Sequence, residues 1–470
     1  SWSSVRPTLP GWKQSLQQPN RPGEYGGGNT RQVMNPQSLP RWLQPRLPFF
    51  YGWIVLACVC CAGFARQGPA VATLSIFIEP MTAEFGWSRT AMSVAVSIGG
   101  ILAALVSPVL GPIQDRYGAR RMLCVAVLVT GVAAMLLSLT QSLLVFVLLF
   151  CVARMTFAGP FDLGIYGAVN SWFRRDRGLA TSITTFMQMA GLMAMPLIAQ
   201  LAIVGSGWRA GWLAIGATVL IIGFIPVWAL VVRQPEDMGL TPDGPQSPSA
   251  EGVLDQASPA AAAVAEPAFS RAEALRTPAF WLLSLYTLLV YPVQAGVSLH
   301  QAPHLIERGL DPTIAATVIS TFSLASAISG LMFGVAVRRV GVRMSLAAAA
   351  VTLGFSTVTM IWITMTWQGY LAAAFFGISI GGVLTILPIA WADYFGRKSF
   401  GAIRGVALSI QVVAQATGPL VSGILRDQTG DYVLSLWTFT GLSLAAVFAA
   451  LLTRAPCPSG NRTYTAFSDP

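Results

Sequence analysis

Twelve apolar runs, most of them about twenty residues long or more, dominate this sequence. About twenty residues is the length at which an α-helix, rising about 1.5 Å per residue, crosses about 30 Å of hydrocarbon. The runs lie near 49–78, 90–110, 122–140, 142–170, 179–203 and 211–232, then near 278–305, 313–336, 344–366, 368–393, 404–425 and 432–453. A chain in lipid must satisfy its own backbone hydrogen bonds, and runs this long do so as helices. The expected fold class is therefore an all-α integral membrane protein with twelve transmembrane helices. Composition agrees, because only 10% of the 470 residues are charged and 54% are hydrophobic. A soluble domain carries about 25% charged residues. The net charge of +10 does not point to nucleic acid, since the basic residues sit in small clusters between apolar runs.

Those clusters set the expected topology. Loops 2–3, 4–5, 8–9 and 10–11 hold twelve basic residues: Arg116, Arg120, Arg121, Arg174, Arg175, Arg177, Arg338, Arg339, Arg343, Arg397, Lys398 and Arg404. The opposite loops hold four, namely Arg89, Arg209, Arg308 and Arg426. Positive charge marks the cytoplasmic side, so both termini are expected there. The chain divides into a disordered tail (1–47), a first six-helix bundle (48–233), a cytoplasmic linker (234–277), a second bundle (278–454) and a C-terminal tail (455–470). Cys58, Cys60, Cys61, Cys124 and Cys151 fall in apolar segments and Cys457 in the tail. "CVCC" at 58–61 lacks the further ligands of a zinc site, so the cysteines read as free thiols.

The two sets of six repeat one another. "GPIQDRYGARR" (111–121) and "GVAVRRVGVR" (334–343) both join the second and third spans of their set. "SWFRRDRGLATSI" (171–183) echoes "DYFGRKSFGAIRGVALSI" (393–410) at the fourth-to-fifth junction. The bundles are thus expected to be pseudo-symmetric, a construction found in transporters. In the first motif Gly111 and Pro112 end a span and Gly118 permits a tight turn. Arg116, Arg120 and Arg121 suit an anionic membrane face, and Asp115 can pair with them or with a helix N-terminus.

Gly111, Asp115, Arg116, Gly118, Arg120 and Arg121 match G-x-x-x-D-[RK]-x-G-x-[RK]-[RK] at every fixed position, and this resembles the loop 2–3 signature of the major facilitator superfamily. "YGW" (51–53) and "WFRRDRGLA" (172–180) further resemble the bacterial branch related to monocarboxylate and oxalate/formate transporters, with Trp172 and Asp176 departing from its pattern. The resemblance covers about residues 48–454 and implies a transporter, not an enzyme. It also implies that these six residues form a latch between the halves. The copy has Arg338 where the aspartate would stand, so the latch is expected on one side only. Such relatives usually carry a cation in the eighth span, which here has none.

Charges inside spans cost about 2.5–3.5 kcal/mol each and are functional by default. Arg66 lies in the first span, and Arg154 and Asp162 lie in the fourth. The resemblance implies that these spans line the central cavity. Arg66 is the leading anion ligand, because guanidinium matches carboxylate; the alternative is a structural pair with Asp162. Arg154 is either a ligand or a partner of Asp162. Asp162 is either the carrier of a coupling proton or a structural partner. Tyr166, Gln294, His300 and Trp391 complete the candidate substrate-binding set. His300 and His304, four residues apart, have no third metal ligand in view and read as interfacial residues or a titrating gate.

No G-x-x-x-x-G-K-[ST] loop is present for ATP, and neither H-E-x-x-H nor G-x-S-x-G occurs. The expectation is a secondary active transporter that works by alternating access as a symporter. Its substrate would be a small organic anion such as a monocarboxylate, with protons as the coupling ion. It would work as a monomer in a bacterial inner membrane, with no cofactor and no nucleic-acid partner. A drug/proton exporter or a transporter of a neutral solute is the alternative, and a receptor on the same scaffold is a further one.

Overall fold

The computed structural model describes residues 38–87, 89–244 and 267–456, which are almost wholly helical. In chain order the helices are α1 (Ser38–Leu43), α2 (Gly52–Ala65), α3 (Val71–Phe85), α4 (Arg89–Leu137), α5 (Leu143–Ala158), α6 (Pro160–Trp172), α7 (Arg177–Thr218) and α8 (Ile225–Leu230). A π-helical stretch, Val219–Phe224, joins α7 to α8. Then follow α9 (Arg271–Leu275), α10 (Pro278–Glu307), α11 (Pro312–Val340), α12 (Val342–Ile361), α13 (Thr366–Phe395), α14 (Phe400–Thr429) and α15 (Val433–Leu452).

Among the described residues, nine helical stretches are long and apolar enough to cross a membrane. Two of them each hold two spans. α4 turns at Gly118 (φ 82°, ψ 164°), separating spans 2 and 3. α7 turns at Ser206 and Gly207, separating spans 5 and 6. That makes eleven, and α2 with α3 forms the first span, broken between residues 66 and 70. Gly341 turns the second half between α11 and α12 with φ 81° and ψ 158°. The matching dihedrals of Gly118 and Gly341 show the repeat in the backbone, since a side chain at either would strain the turn.

The ends of the expected tail and linker are more ordered than the sequence implies. Residues 38–46, assigned to the tail, form α1 and a 3₁₀ turn; residues 1–37 lie outside the described set. Residues 234–244, assigned to the linker, fold back on loop 4–5. There Asp243 accepts the backbone N–H groups of Arg174, Arg175 and Asp176. Residues 267–277 carry α9, whose Ser270 and Glu273 cap each other, and Phe269 N–H donates to Phe395 O. Residues 245–266 and 457–470 lie outside the described set.

The two halves meet through glycine. α4 packs on α14 where Gly111 faces Gly401, and α7 packs on α11 where Gly178 faces Gly334. Neither member of either pair has room for a Cβ against the opposing helix. Small residues of this kind let helix backbones approach closely in lipid. All four glycines lie near the basic loops, so the halves are closed together on that face. On the opposite face the ion pairs Glu84–Arg209 and Glu307–Arg426 each stay within one half.

Candidate functional site

Two helix breaks build the centre of the site. Span 1 stops at Ala65 and restarts at Val71, after Gly68 and Pro69. Arg66 caps the first segment. Span 4 breaks between α5 and α6 at Gly159–Pro160. In an unbroken helix the Phe157 carbonyl would accept the Phe161 N–H. Here it accepts Arg66 Nε at 2.9 Å. Arg66 Nη1 donates to Gln188 Oε1 at 2.8 Å, and its guanidinium lies 4.7 Å from the centre of the Phe157 ring. Asp162 falls in the first turn of α6, where a negative charge suits the helix dipole.

Asp162 is shared between the halves. Its Oδ2 lies 3.6 Å from Arg66 Nη2, and its Oδ1 accepts Arg404 Nε at 3.2 Å. Arg404 is 1% exposed and also donates to Gln411 Oε1 at 3.0 Å. Gln188 Nε2 donates to the Tyr166 hydroxyl at 3.3 Å, tying the tyrosine to Arg66. Arg154 does not pair with Asp162. Its guanidinium lies 4.3 Å from the centre of the same Phe157 ring, and its stem packs where Gly99 leaves room. Arg154 Nε and Arg404 Nη1 are buried with no hydrogen-bond partner among the described residues. Arg66 and Arg404 thus flank one buried carboxylate, with Arg154 beside Arg66 across the Phe157 ring, and Arg154 and Arg404 keep unsatisfied donors. Buried donors left unmet cost about 1–3 kcal/mol each, so the arrangement favours an anion that meets them.

The remaining candidates do not all converge. Gln294 accepts Gln415 Nε2 at 3.2 Å across α10 and α14. Tyr291, one turn earlier, is buried. His300 lies about 13 Å farther along α10 than Tyr291. Its Nε2 is 3.3 Å from Pro419 O, and its ring packs on Tyr432. His304 is buried against Met360 O at 2.9 Å. The histidines therefore belong to the packing between α10 and its neighbours, not to the arginine cluster. Trp391 is 1% exposed between Phe280 and Phe395; it is an aromatic core residue, not a cavity wall. Among the described residues no group of three metal-ligating side chains occurs.

The loop 2–3 motif makes its contact across the seam. Asp115 accepts the N–H groups of Gly401 (2.7 Å) and Ala402 (2.8 Å). These are first-turn amides of α14, which have no partner within their own helix. Arg116 and Arg121 lie over the Tyr117 ring instead of pairing with Asp115. Arg120 donates to Trp228 O within the first half. The expectation of a one-sided latch is wrong. Arg338, at the place of the aspartate, pairs with Asp176 of loop 4–5, and Arg177 pairs with Asp393. The second seam keeps the glycine contact and reverses the charges.

Comparison with known proteins agrees with this architecture. The sequence profile of the Major Facilitator Superfamily matches residues 55–305 and 296–467. The chain belongs to the major facilitator superfamily. The Salmonella typhimurium protein named "Membrane sensor protein UhpC" is 28% identical over 359 residues, 73% of this chain and 77% of that one. Human "Monocarboxylate transporter 11" is 25% identical over 448 residues, 92% and 89% of the two chains. Among solved structures, the proton:xylose symporter XylE superposes with a TM-score of 0.65 at 14% identity, covering 85% of this chain and 94% of that one. FucP in its outward conformation gives 0.64 at 11% identity, covering 86% and 100%.

Membership makes the chain a multi-pass membrane transporter of this superfamily and not an enzyme. The cation that the second half brings to Asp162 is Arg404 of α14. The uncharged eighth span holds none. Arg404 and Gln188 are the residues that sequence reasoning missed. Arg404 was counted with the loop because Arg397 and Lys398 precede it closely. The signal was the apolar run itself, which begins at residue 404 and so takes Arg404 as its first residue.

Proposed function

We propose that this superfamily member is a secondary active transporter that moves a small organic anion by alternating access, coupled to protons. One observation carries the reading: Arg66 and Arg404, from opposite halves, flank a single carboxylate, Arg154 lies beside Arg66 across the Phe157 ring, and Arg154 and Arg404 retain unmet donors. An anion bound between them links the halves, as a site between rocking bundles requires. The relatives named as monocarboxylate transporters support an organic acid. Arg66 and Arg154 would take the carboxylate, Tyr166 would steady Arg66 through Gln188, and Gln294 would line the second-half wall. Asp162 would carry the proton. It faces Arg66 and Arg404, and Tyr166 is tied to Arg66 through Gln188. Protonation would release both arginines to the substrate.

The basic face is taken as cytoplasmic, so the seam closed here would be the inner one. The two bundles, 48–233 and 278–454, would rock about it as a monomer in a bacterial inner membrane, with both termini cytoplasmic. The test is a thermal-shift screen of carboxylates, sugars and organic cations on the purified protein. Carboxylates should stabilise it, and Arg154→Gln should weaken that effect about tenfold, for a lost charged contact. Stabilisation by sugars or cations but not by carboxylates overturns the reading. The sensor-named relative favours a second reading, a receptor. It predicts carboxylate binding without flux into proteoliposomes.

A further inference from the structure

Span 2 turns one stripe toward the second half. Ala104, Pro108, Gly111 and Asp115 recur at spacings of four, three and four, so they share a helix face. Pro108 and Pro112 interrupt the hydrogen bonding of this helix. A proline has no N–H, so the carbonyl four residues before it loses its usual donor. The carbonyls freed in this way are those of Ala104 and Pro108. The second-half side of the seam meets both. Ser409 Oγ of α14 donates to Ala104 O, and Arg271 Nη1 of α9 donates to Pro108 O at 3.3 Å. Farther along, Gly111 touches Gly401, and Asp115 holds Gly401 and Ala402. The contact at Pro108 stands apart from the others, because Arg271 belongs to the linker and not to a span.

Each end of the linker is anchored to one half and reaches the other. At the first end, Asp243 N–H donates to Trp172 O, where span 4 finishes. The Asp243 carboxylate accepts three amides of loop 4–5. From this anchored segment Glu236 crosses to Arg397 of loop 10–11 at 2.7 Å. At the second end, Phe269 N–H donates to Phe395 O, where span 10 finishes. Gly396, at φ 75°, leaves no room for a Cβ against Pro267 O. From this anchored segment Arg271 crosses to Pro108. The two crossings are unequal. The Arg397 and Glu236 side chains are 33% and 41% exposed, so water screens that pair. Arg271 is half-buried, and it serves a carbonyl that span 2 cannot satisfy itself.

We propose that the linker is a two-ended clasp that holds the transporter closed on its basic face, with Arg271 as its principal contact. Parting the halves takes Arg271 away from the Pro108 carbonyl and Glu236 away from Arg397. Contacts made in one of two states shift the population toward that state. The clasp therefore sets how readily this seam opens. It does not depend on what the central arginines carry.

The test uses the full chain in phosphatidylcholine nanodiscs, with no substrate added. Amide exchange at residues 400–403 reports opening, because first-turn amides of α14 are held only across the seam. Arg271→Leu keeps an apolar stem and removes the donor. It should accelerate that exchange about tenfold, for the loss of a charged hydrogen bond. Arg271→Lys should recover most of the loss, since an ammonium still donates. Glu236→Gln should accelerate exchange less, by no more than about fivefold, as befits an exposed pair. Exchange in α12 and α15 should stay unchanged in all three variants. Unaltered exchange at 400–403 in Arg271→Leu overturns the proposal. So does an acceleration that spreads equally to α12 and α15, which would make Arg271 a general stabiliser of the fold. A lysine variant no better than the leucine one also overturns it, because the contact would then not be a donated hydrogen bond.

Discussion

Replacing Asp115 by asparagine isolates the electrostatic part of the latch, because the side chain keeps its shape and one acceptor oxygen. In the native seam both carboxylate oxygens accept backbone N–H groups from the far half, at 2.7 and 2.8 Å. Asparagine can serve one of them. The other then faces an amide NH₂ and loses its partner. A hydrogen bond to a charged group contributes about 1.5–3 kcal/mol, and a neutral one about 1 kcal/mol. Losing one bond and weakening the other therefore costs about 2 kcal/mol at this half-buried position. Since about 1.4 kcal/mol is tenfold, the closed-to-open ratio at this seam should fall about 30-fold. The N–H groups of Gly401 and Ala402 report it directly, because no carbonyl within α14 protects them. Hydrogen–deuterium exchange across residues 396–404 should accelerate by about that factor, while exchange in α12 and α15 stays unchanged. Unaltered exchange at Gly401 and Ala402 would refute the assignment of the carboxylate as the fastener.

Two further outcomes follow. Arg338→Asp alone should loosen the second seam by opposing Asp176, and the swap Asp176→Arg with Arg338→Asp should restore it. The side chains are 39% and 33% exposed, so the coupling in a double-mutant cycle of melting temperatures should be small, about 0.2–1 kcal/mol. Arg404→Gln leaves Asp162 buried with one distant partner, and should lower the melting temperature sharply. Asp162→Asn in the same chain should recover most of that loss, because the uncompensated charge is gone. No recovery would mean that Arg404 stabilises by packing alone.

The spans were legible because lipid imposes both a length and a sidedness on sequence, and neither depends on tertiary detail. Asp115 was legible as an acid at fixed spacing among arginines, but sequence left open whether it pairs with those arginines or with a helix N-terminus, and the structure has it on the N-terminus of α14. Arg66 and Asp162 stood out as charges in apolar runs, although the break at Gly159–Pro160 that frees the Phe157 carbonyl for Arg66 could not be weighed from sequence. Arg404 was hidden by a boundary. A shift of one or two turns at the start of α14 moves it from loop to core, and helix ends are where sequence periodicity is weakest. His300 and Trp391 were named from helix identity, with an interfacial role left open for the histidine; here they pack on Tyr432 and between Phe280 and Phe395, because the helix face decides whether a side chain meets a void or a neighbour. The reversed second seam had a written signal: Asp176 departs from its local pattern as Arg338 departs from its own. Only contact across the halves turned two departures into one pair.

The glycine contacts at Gly111–Gly401 and Gly178–Gly334 bear on how fast the halves can separate. Interlocked side chains must withdraw from their holes before two helices part, and each withdrawal adds friction. Bare backbone against bare backbone has nothing to withdraw. Along these lines the seams resemble two smooth plates held by a few polar rivets. The time taken to open should then be governed by the lifetimes of the polar contacts across the seams, Asp115 on α14, Arg404 on Asp162 and Arg177 on Asp393 foremost, and hardly by repacking of the apolar interior. A leucine at Gly334 would add a tooth to a surface whose purpose is to have none.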